Sequence, residues 1–393
     1  MKPYPQSRRR ADSASSQPQR LRTSGRASGS SLLLLALFLA LAPTASASNT
    51  WYVDGVNGSD NNNCKTRPHA CRTIGHAISL AQSGDSIMVA PATYTENLTI
   101  RFNLKIVGSG ASTTIIDGGR GRGVNGVVKV RSGAHVSLSG LTIQHGRANN
   151  GGGIDNAGTL TINESTISGN TSAGGGGIYN YDGTLKINNS TISGNTASRY
   201  ICIFRHCFYA GVGGGIFNSG GTSTINNSTL YGNYSAGGFN HDGGGGIYNY
   251  GGTLKINNST LSGNGSPFGG GIWNHGSPVT LQNSIVANSP SGGDCSGPMT
   301  SNGYNLSSDN TCNFNSTGDL NNTDPVLGQL GYYGGPTQTL PLLSGSPAID
   351  TGNPSGCADG QGHLLKTDQR GKPRPDKEDT GGCDMGAYER QTD

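Results

Sequence analysis

One phrase recurs almost unchanged in this sequence and limits what the chain can fold into. Residues 174–195 are GGGGIYNYDGTLKINNSTISGN, and residues 243–264 are GGGGIYNYGGTLKINNSTLSGN. Looser copies align on the same GGGI start, with Ile178 following Ile154 by 24 residues and Ile272 following Ile247 by 25. Self-similarity at a fixed period predicts a stack of repeats in which each copy contacts its neighbours.

Within each copy, apolar residues alternate with polar ones, which is typical of strands rather than helices. Glycine- and asparagine-rich turns separate three such short strands in each copy. One strand contributes only one or two apolar side chains, so a single coil buries little and stacked coils bury a continuous column. The residues predicted to share the first apolar file are Ile154, Ile178, Ile216, Ile247 and Ile272.

Asparagines recur at two fixed positions of the repeat. One lies two residues after each isoleucine of the GGGI start (Asn156, Asn180, Asn218, Asn249, Asn274), and one closes the coil (Asn170, Asn195, Asn233, Asn264). Repeated amides at one turn position can donate to one another from coil to coil. We therefore expect asparagine ladders inside the stack.

The N-terminus has the features of an export signal. Residues 1–47 contain a basic stretch, the apolar run LLLLALFLAL (32–41) and a small-residue end at Ala45-Ser46-Ala47. Residues 1–47 carry a net charge of +6 and the whole chain carries +4, so residues 48–393 carry −2. The ten-residue apolar run is too short to span a bilayer. We expect a secreted or extracellular protein with no transmembrane span after signal removal and no nucleic-acid partner.

Four segments are predicted. Residues 1–47 are the signal peptide, and residues 48–85 form an N-terminal cap that contains a helix over 73–83. Residues 86–290 form the coils. Residues 291–393 lose the repeat, gain proline and cysteine, and are interpreted as the last coils and a C-terminal cap.

Eight cysteines fall into four pairs of near neighbours along the chain. An even number in an exported chain indicates disulfides. The spacing shows no C-x-x-C metal motif, and sequence alone leaves many connectivities open. The disulfide candidates are Cys64 with Cys71, Cys202 with Cys207, Cys295 with Cys312, and Cys357 with Cys383.

The motifs resemble those of exported bacterial right-handed parallel β-helix proteins of the pectate-lyase-like superfamily. WYVDGVNGSD and TIGHAISLAQSGDSIMVAPATYTENLTI are similar to the start of such proteins, and the GGGI coils are similar to polymorphic outer-membrane protein repeats. The region from NGYNLSSDNTC to GGCDMGAYE resembles the "choice-of-anchor Q" region of bacterial surface proteins. The resemblance implies an all-β, single-stranded right-handed parallel β-helix with a short capping helix and a disulfide-tied C-terminal cap. It also implies export, with cell-surface association as an alternative.

Two insertions interrupt the repeat at one corner. The step from the closing asparagine to the next GGGI isoleucine takes 21 residues after Asn195 and 14 after Asn233, against 8 after Asn170. Insertions on one face of a repeat fold often form its binding face. Aromatic planes beside polar groups suit sugar rings. The ligand-binding candidates are Tyr200, Phe204, Arg205, His206, Tyr209, Tyr234, Phe239, His241 and Asp242.

These observations favour a non-enzymatic protein that binds a polysaccharide or cell-surface glycan and needs no cofactor or metal. The alternative is a polysaccharide lyase or glycoside hydrolase with its site at the paired insertions. A lyase would need calcium held by carboxylates and a basic residue for proton abstraction. Acids do not recur at any one coil position, so the catalytic residues stay unknown. A third reading is that the inserted aromatics pack on one another and only stabilise their loops.

Overall fold

Each repeat forms one coil of a parallel β-helix. The computed structural model describes residues 48–119, 126–203, 206–238, 242–377 and 382–391, with the side chains of 201, 203 and 206–208 left out. Successive coils pair strand on strand in parallel, so that three long sheets form the three sides of the stack. The predicted right-handed parallel β-helix is confirmed. The export signal predicted for residues 1–47 lies outside the described residues.

The sheets of the described residues differ in length. The ten-stranded sheet comprises Thr50–Val53, Ser86–Val89, Leu104–Gly108, His135–Ser139, Thr159–Asn163, Thr184–Asn188, Thr222–Asn226, Thr253–Asn257, Val279–Gln282 and Thr300–Ser301. The nine-stranded sheet comprises Ala92–Thr95, Thr114–Asp117, Thr142–Gln144, Thr166–Ser168, Thr191–Ser193, Thr229–Tyr231, Thr260–Ser262, Ile285–Ala287 and Leu306–Ser307. The eight-stranded sheet comprises Leu98–Ile100, Val128–Val130, Ile154–Asn156, Ile178–Tyr181, Ile216–Ser219, Ile247–Tyr250, Ile272–His275 and Cys295–Ser296.

Smaller elements fill the corner that precedes the eight-stranded sheet. Thr171–Ser172, Thr196–Ala197 and Tyr234–Ser235 form a three-stranded sheet, and Arg199–Ile203 and His206–Ala210 form an antiparallel hairpin. The helical elements are a 3-10 turn at Arg67–His69 and an α-helix at Ile74–Leu80. Within the described chain, no helix has the length and apolar character needed to cross a bilayer.

The isoleucine file lies in the core as predicted. Ile154, Ile178, Ile216, Ile247 and Ile272 are register partners in the eight-stranded sheet, and all are fully buried. Leucines and isoleucines from the other two sheets complete one continuous cluster that runs along the stack. Because each coil contributes so few apolar groups, this cluster depends on stacking rather than on any one coil.

Both predicted asparagine ladders are present. In the first, each Nδ2 donates to the Oδ1 of the next coil, at 2.6 Å from Asn156 to Asn180 and 2.8 Å from Asn180 to Asn218. In the second, Asn170 donates to Asn195 at 3.0 Å. These amides are fully buried and their free hydrogens meet backbone carbonyls, so the ladders satisfy polar groups that would otherwise be costly inside the stack.

The GGGI start needs glycine because of its backbone path. Gly175 adopts a φ of 65°, and a Cβ built there would lie 2.2 Å from the carbonyl oxygen of Ile178. No other residue fits so close to the backbone, which explains why each phrase opens on glycine.

The N-terminal helix is shorter than predicted. It begins at Ile74, with Thr73 as the N-cap whose hydroxyl accepts from the amide of His76, and it ends at Leu80 instead of residue 83. Ala81 is already extended, and the amide of Gln82 donates to the buried carboxylate of Asp85. That carboxylate also accepts from Trp51, so Asp85 turns the chain toward the first coil before the helix can continue.

Disulfides occur where the adjacent pairing predicts them. Cys64–Cys71, Cys295–Cys312 and Cys357–Cys383 are bonded. The hairpin register places Cys202 opposite Cys207, and Cys202 is disulfide-bonded. Among the described residues no cysteine is free.

The C-terminal region does more than close the end of the stack. Residues 325–377 and 382–391, which we call the tail, run back along the turns that join the ten-stranded and nine-stranded sheets. They contact a file of left-handed turn residues, which we call the covered flank: Asn189, Asn227, Asn258 and Asn283. The eight-stranded sheet forms the opposite side of each coil.

A buried ion pair lies within the tail where it meets this flank. Arg374 Nε lies 2.6 Å from Glu389 Oε2, and both side chains are fully buried. Arg374 also donates from Nη1 to Asn227 Oδ1 at 2.9 Å. A second pair, Arg370 with Asp368, lies beside it, and the Arg370 guanidinium stacks on the ring of Tyr388.

Candidate functional site

The first insertion folds into the antiparallel hairpin. Its two strands pair Tyr200 with Tyr209, and the two rings contact each other with centroids 5.1 Å apart. Both remain exposed, at 59% and 65%. The hairpin thus presents two aromatic surfaces to solvent and does not bury them against the coil.

The second insertion lies directly beside the first. The amide of Gly211 donates to the carbonyl of Gly237 at 2.7 Å, which joins the end of one insertion to the start of the other. Tyr234 lies in the three-stranded sheet and is exposed. Asp242 Oδ1 accepts a hydrogen bond from the hydroxyl of Tyr248 in the next strand, at 3.1 Å.

The remaining predicted ligand residues are not described. Phe204, Arg205, Phe239 and His241 lie outside the described residues. The backbone of His206 opens the second hairpin strand, but its side chain is not described. The described part of the candidate site therefore consists of Tyr200, Tyr209, Tyr234 and Asp242, of which only the first two are shown in mutual contact.

A cleft of about 520 Å³ lies against the hairpin. We call it the hairpin cleft. The side chains that give it its chemical character are those of Arg147, Asn149, Thr171, Arg199, Tyr200 and Tyr209. Among the residues that the structure describes, two arginines and no carboxylate line it. Neither arginine was predicted from the sequence, since Arg147 lies two coils before the first insertion and Arg199 lies at its edge.

The hairpin cleft continues into two neighbouring depressions. The next one shares Asn149 with it and is also lined by Lys129, Asn150 and Asp155. A third shares Lys129, Asn150 and Asp155 and ends at Tyr179 and Tyr181. The three depressions therefore form one surface that runs from the hairpin onto the outer face of the eight-stranded sheet.

That outer face carries a cluster of rings, which we call the aromatic patch. Its register places one ring on another through four consecutive coils, with centroids 5.1 Å apart for Tyr179–Phe217, 4.8 Å for Phe217–Tyr248 and 4.9 Å for Tyr248–Trp273. A second file, two residues along the strand, adds Tyr181, Tyr250 and His275 and is interrupted by Ser219. The patch consists of Tyr179, Tyr181, Phe217, Tyr248, Tyr250, Trp273 and His275.

The two files of the patch differ in exposure. Tyr248 is only 3% exposed, whereas Tyr181 and Tyr250 are 51% and 48% exposed. Burial raises the pKa of the Tyr248 phenol, and the Asp242 carboxylate beside it raises that pKa further. Burial likewise raises the pKa of Tyr179. The inner file therefore stays neutral and supports an outer file whose ring surfaces are open to a ligand.

Sequence reasoning missed this patch although the signal was available. The outward residue lies between the isoleucine and the asparagine of each GGGI-x-N phrase, and it is Tyr, Phe, Tyr and Trp in four successive coils. In the preceding coil the same position is Asp155, which forms an ion pair with Lys129. The file thus changes from charged to aromatic along the stack.

The described residues offer little for a metal. Among them, the one group of histidine, cysteine and carboxylate side chains close enough to share an ion is Cys64, Cys71 and His76. Its two sulfurs are already joined in a disulfide, so neither is available as a thiolate ligand.

Comparison with known proteins gives distant structural similarity only. No protein-family model and no curated protein sequence matches the chain. Among solved structures, pectate lyase Pel9A has a TM-score of 0.48 and 16% identity over 88% of this chain and 97% of that chain. A pectin methylesterase from Aspergillus niger has a TM-score of 0.39 and 17% identity over 71% of this chain and 86% of that chain. The fold described above rests on the strand register itself.

Proposed function

We propose that this is an exported or cell-surface β-helix protein that binds glycans through the aromatic patch and the adjoining depressions. The observation that carries the proposal is the patch itself, a set of seven rings in which Tyr181 and Tyr250 are 51% and 48% exposed. A pyranose ring has an apolar face that stacks on aromatic side chains and hydroxyls that hydrogen-bond to polar groups around them.

The repeat suits an extended ligand. Adjacent coils lie about 4.8 Å apart. A saccharide chain that runs along the stack would therefore meet a ring on each of the four coils from Tyr179 to Trp273. Asn149 and Asn150, which lie between the patch and the hairpin, supply amide donors and acceptors along that path. Because the path is built on paired strands, the ligand would bind a surface that is already formed.

Export is part of the proposal. Every described cysteine is bonded, and disulfides persist in oxidising compartments. Together with the leader-like residues 1–47 and the resemblance of the tail to surface-protein regions, this favours a secreted or cell-surface location.

A binding role is favoured over catalysis because two of the three described carboxylates near the patch are engaged, and the third, Asp182, is an exposed turn residue beside Tyr181. Asp155 forms an ion pair with Lys129, and Asp242 accepts from Tyr248. A lyase or hydrolase would need carboxylates placed to hold calcium or to act as an acid–base pair.

The test is a glycan array followed by calorimetry with residues 48–393, run beside a uronate-release assay with calcium. We expect binding without product, and about tenfold or greater loss of affinity in the double variant Tyr250→Ala/Trp273→Ala. Tyr332→Ala is the matched control, since Tyr332 is equally exposed but belongs to the tail. Product release that the double variant abolishes would contradict the binding role and support the enzyme alternative.

A further inference from the structure

We propose that the hairpin cleft selects an acidic glycan by binding a carboxylate or sulfate group of the saccharide with Arg147 and Arg199. This inference rests on the proposed function and adds the charge of the ligand to it. It concerns residues that lie next to the aromatic patch rather than in it.

The position of the two arginines is fixed by the coil. Arg147 follows the nine-stranded sheet and pairs through its backbone with Thr171, the first residue of the three-stranded sheet. Arg199 is the first residue of the hairpin and follows the same corner two coils beyond Arg147, since Thr171 in turn pairs with Thr196. Since equivalent corners stack, both guanidinium groups line one cleft.

No described residue of the cleft neutralises these charges. Within the described part of the chain, the lining contains no aspartate or glutamate and neither guanidinium has a hydrogen-bond or ion-pair partner. Lys129 in the next depression differs, because Asp155 already balances it. Two like charges in one cleft repel each other, and an oxyanion between them would relieve that repulsion.

The neighbouring groups fit the rest of an acidic sugar. A guanidinium fork matches the two oxygens of a carboxylate or two oxygens of a sulfate ester. Tyr200 and Tyr209 offer ring surfaces, and the side chains of Asn149 and Thr171 can hydrogen-bond to hydroxyls. The cleft thus combines anion recognition with a saccharide platform.

The source of the selectivity is local. Residues 48–393 carry a net charge of −2, so the protein as a whole does not attract anions. Preference for an acidic glycan would have to come from the arginine pair, and it would weaken as salt screens these exposed charges.

The experiment measures binding of residues 48–393 to neutral dextran, polygalacturonate and dextran sulfate at low and at physiological salt. The variants are Arg147→Gln/Arg199→Gln, with exposed Arg72→Gln, which does not line the cleft, as the control. We expect the acidic polymers to bind more tightly than dextran, and the double variant to lose about tenfold affinity for at least one of them, with dextran unchanged. The polymer that loses affinity identifies carboxylate or sulfate as the preferred group.

Failure of the inference and failure of the proposed function give different results. If the double variant binds the acidic polymers as the parent does, while Tyr250→Ala/Trp273→Ala loses them, the arginine pair has no such role and glycan binding by the patch survives. If the parent chain binds no glycan on the array or among these polymers, the proposed function falls and the inference with it. Circular dichroism spectra of all variants should match the parent, since the substituted arginines are exposed.

Discussion

The covered flank and the aromatic patch lie on opposite sides of the same coils but differ in what contacts their outward residues. On the covered flank, each turn asparagine is paired by a backbone or side-chain group of the tail. On the aromatic patch, outward residues contact one another and remain partly open to solvent. The same stacking thus produces one side that is sealed by the chain and one that is left available for a partner.

The two sides also differ in whether their charged residues are buried. Arg374 and Glu389, which belong to the tail, are fully buried, whereas the arginines beside the patch are exposed. Buried pairs tolerate the loss of neither partner, while exposed charges can be replaced at little structural cost. The covered flank should therefore respond to mutation in stability, and the patch side in binding.

The largest stability effect is expected from Arg374→Ala. The substitution leaves Glu389 as an uncompensated buried charge and removes the donor to Asn227 Oδ1, which should lower the free energy of unfolding by about 3–5 kcal/mol. Urea denaturation measures it, with Arg199→Ala as the exposed control, for which we expect a change of less than about 1 kcal/mol. Equal losses in the two variants would remove the contrast between the two sides.

The second effect is a pH dependence that comes from the tail. Burial raises the pKa of Asp384 to about 6, against 3.8 for the ordinary carboxyl, while backbone donors and Arg374 oppose that rise. The folded state therefore holds a proton to higher pH than the unfolded state. This contribution to stability is present at low pH and is lost as pH rises from about 4 through 6, by up to about 3 kcal/mol.

Unfolding midpoints measured from pH 4 to pH 7 test this. In Asp384→Asn the fall in the unfolding midpoint across that window should be smaller than in the parent. The amide lacks one accepting oxygen of the carboxylate, but that loss affects the midpoint at every pH and does not change its slope. The pH dependence of stability that Asp117 contributes has the opposite sign. Asp117 lies near the corner that leads to the patch. Its pKa is lowered by donors that include Gly119, Gln144 and His145 and outweigh its burial, so its contribution is lost as pH falls. An unchanged slope in Asp384→Asn would contradict the assignment.

The smallest effect compares two positions of one file of left-handed turn residues. Asn227→Ala removes a donor to Thr367 O at 2.8 Å and an acceptor for Arg374, and should cost about 2–3 kcal/mol. Glu164→Ala, at the equivalent turn of a coil with an exposed side chain, should cost less than about 0.5 kcal/mol. Thermal or urea unfolding of both variants measures the difference, and similar costs would mean that the turn rather than the tail contact matters.

Sequence alone predicted the parts of the molecule that repeat. The isoleucine file and the first asparagine ladder recur in the five coils from Ile154 to Asn274, and each position has a simple reason to be apolar or amide-bearing. The tail contacts could not be predicted in this way, because Arg374 and Asn227 are 147 residues apart and no period relates them. The aromatic patch and Arg147 were not predicted from the sequence, because outward positions vary in chemistry from coil to coil. Only the register shows which of these positions become neighbours.

The near identity of the two phrases at 174–195 and 243–264 creates a hazard during folding. Either phrase could add to a growing stack in place of the other, because their inward side chains are almost interchangeable. Such slippage by whole coils would preserve the local hydrogen bonds, so the misplaced coil would have no energetic penalty within the core. The hairpin and the connecting segments of unequal length distinguish one coil from another. A misplaced coil would bring the wrong loop to a corner and leave the tail without the turn residues that it contacts.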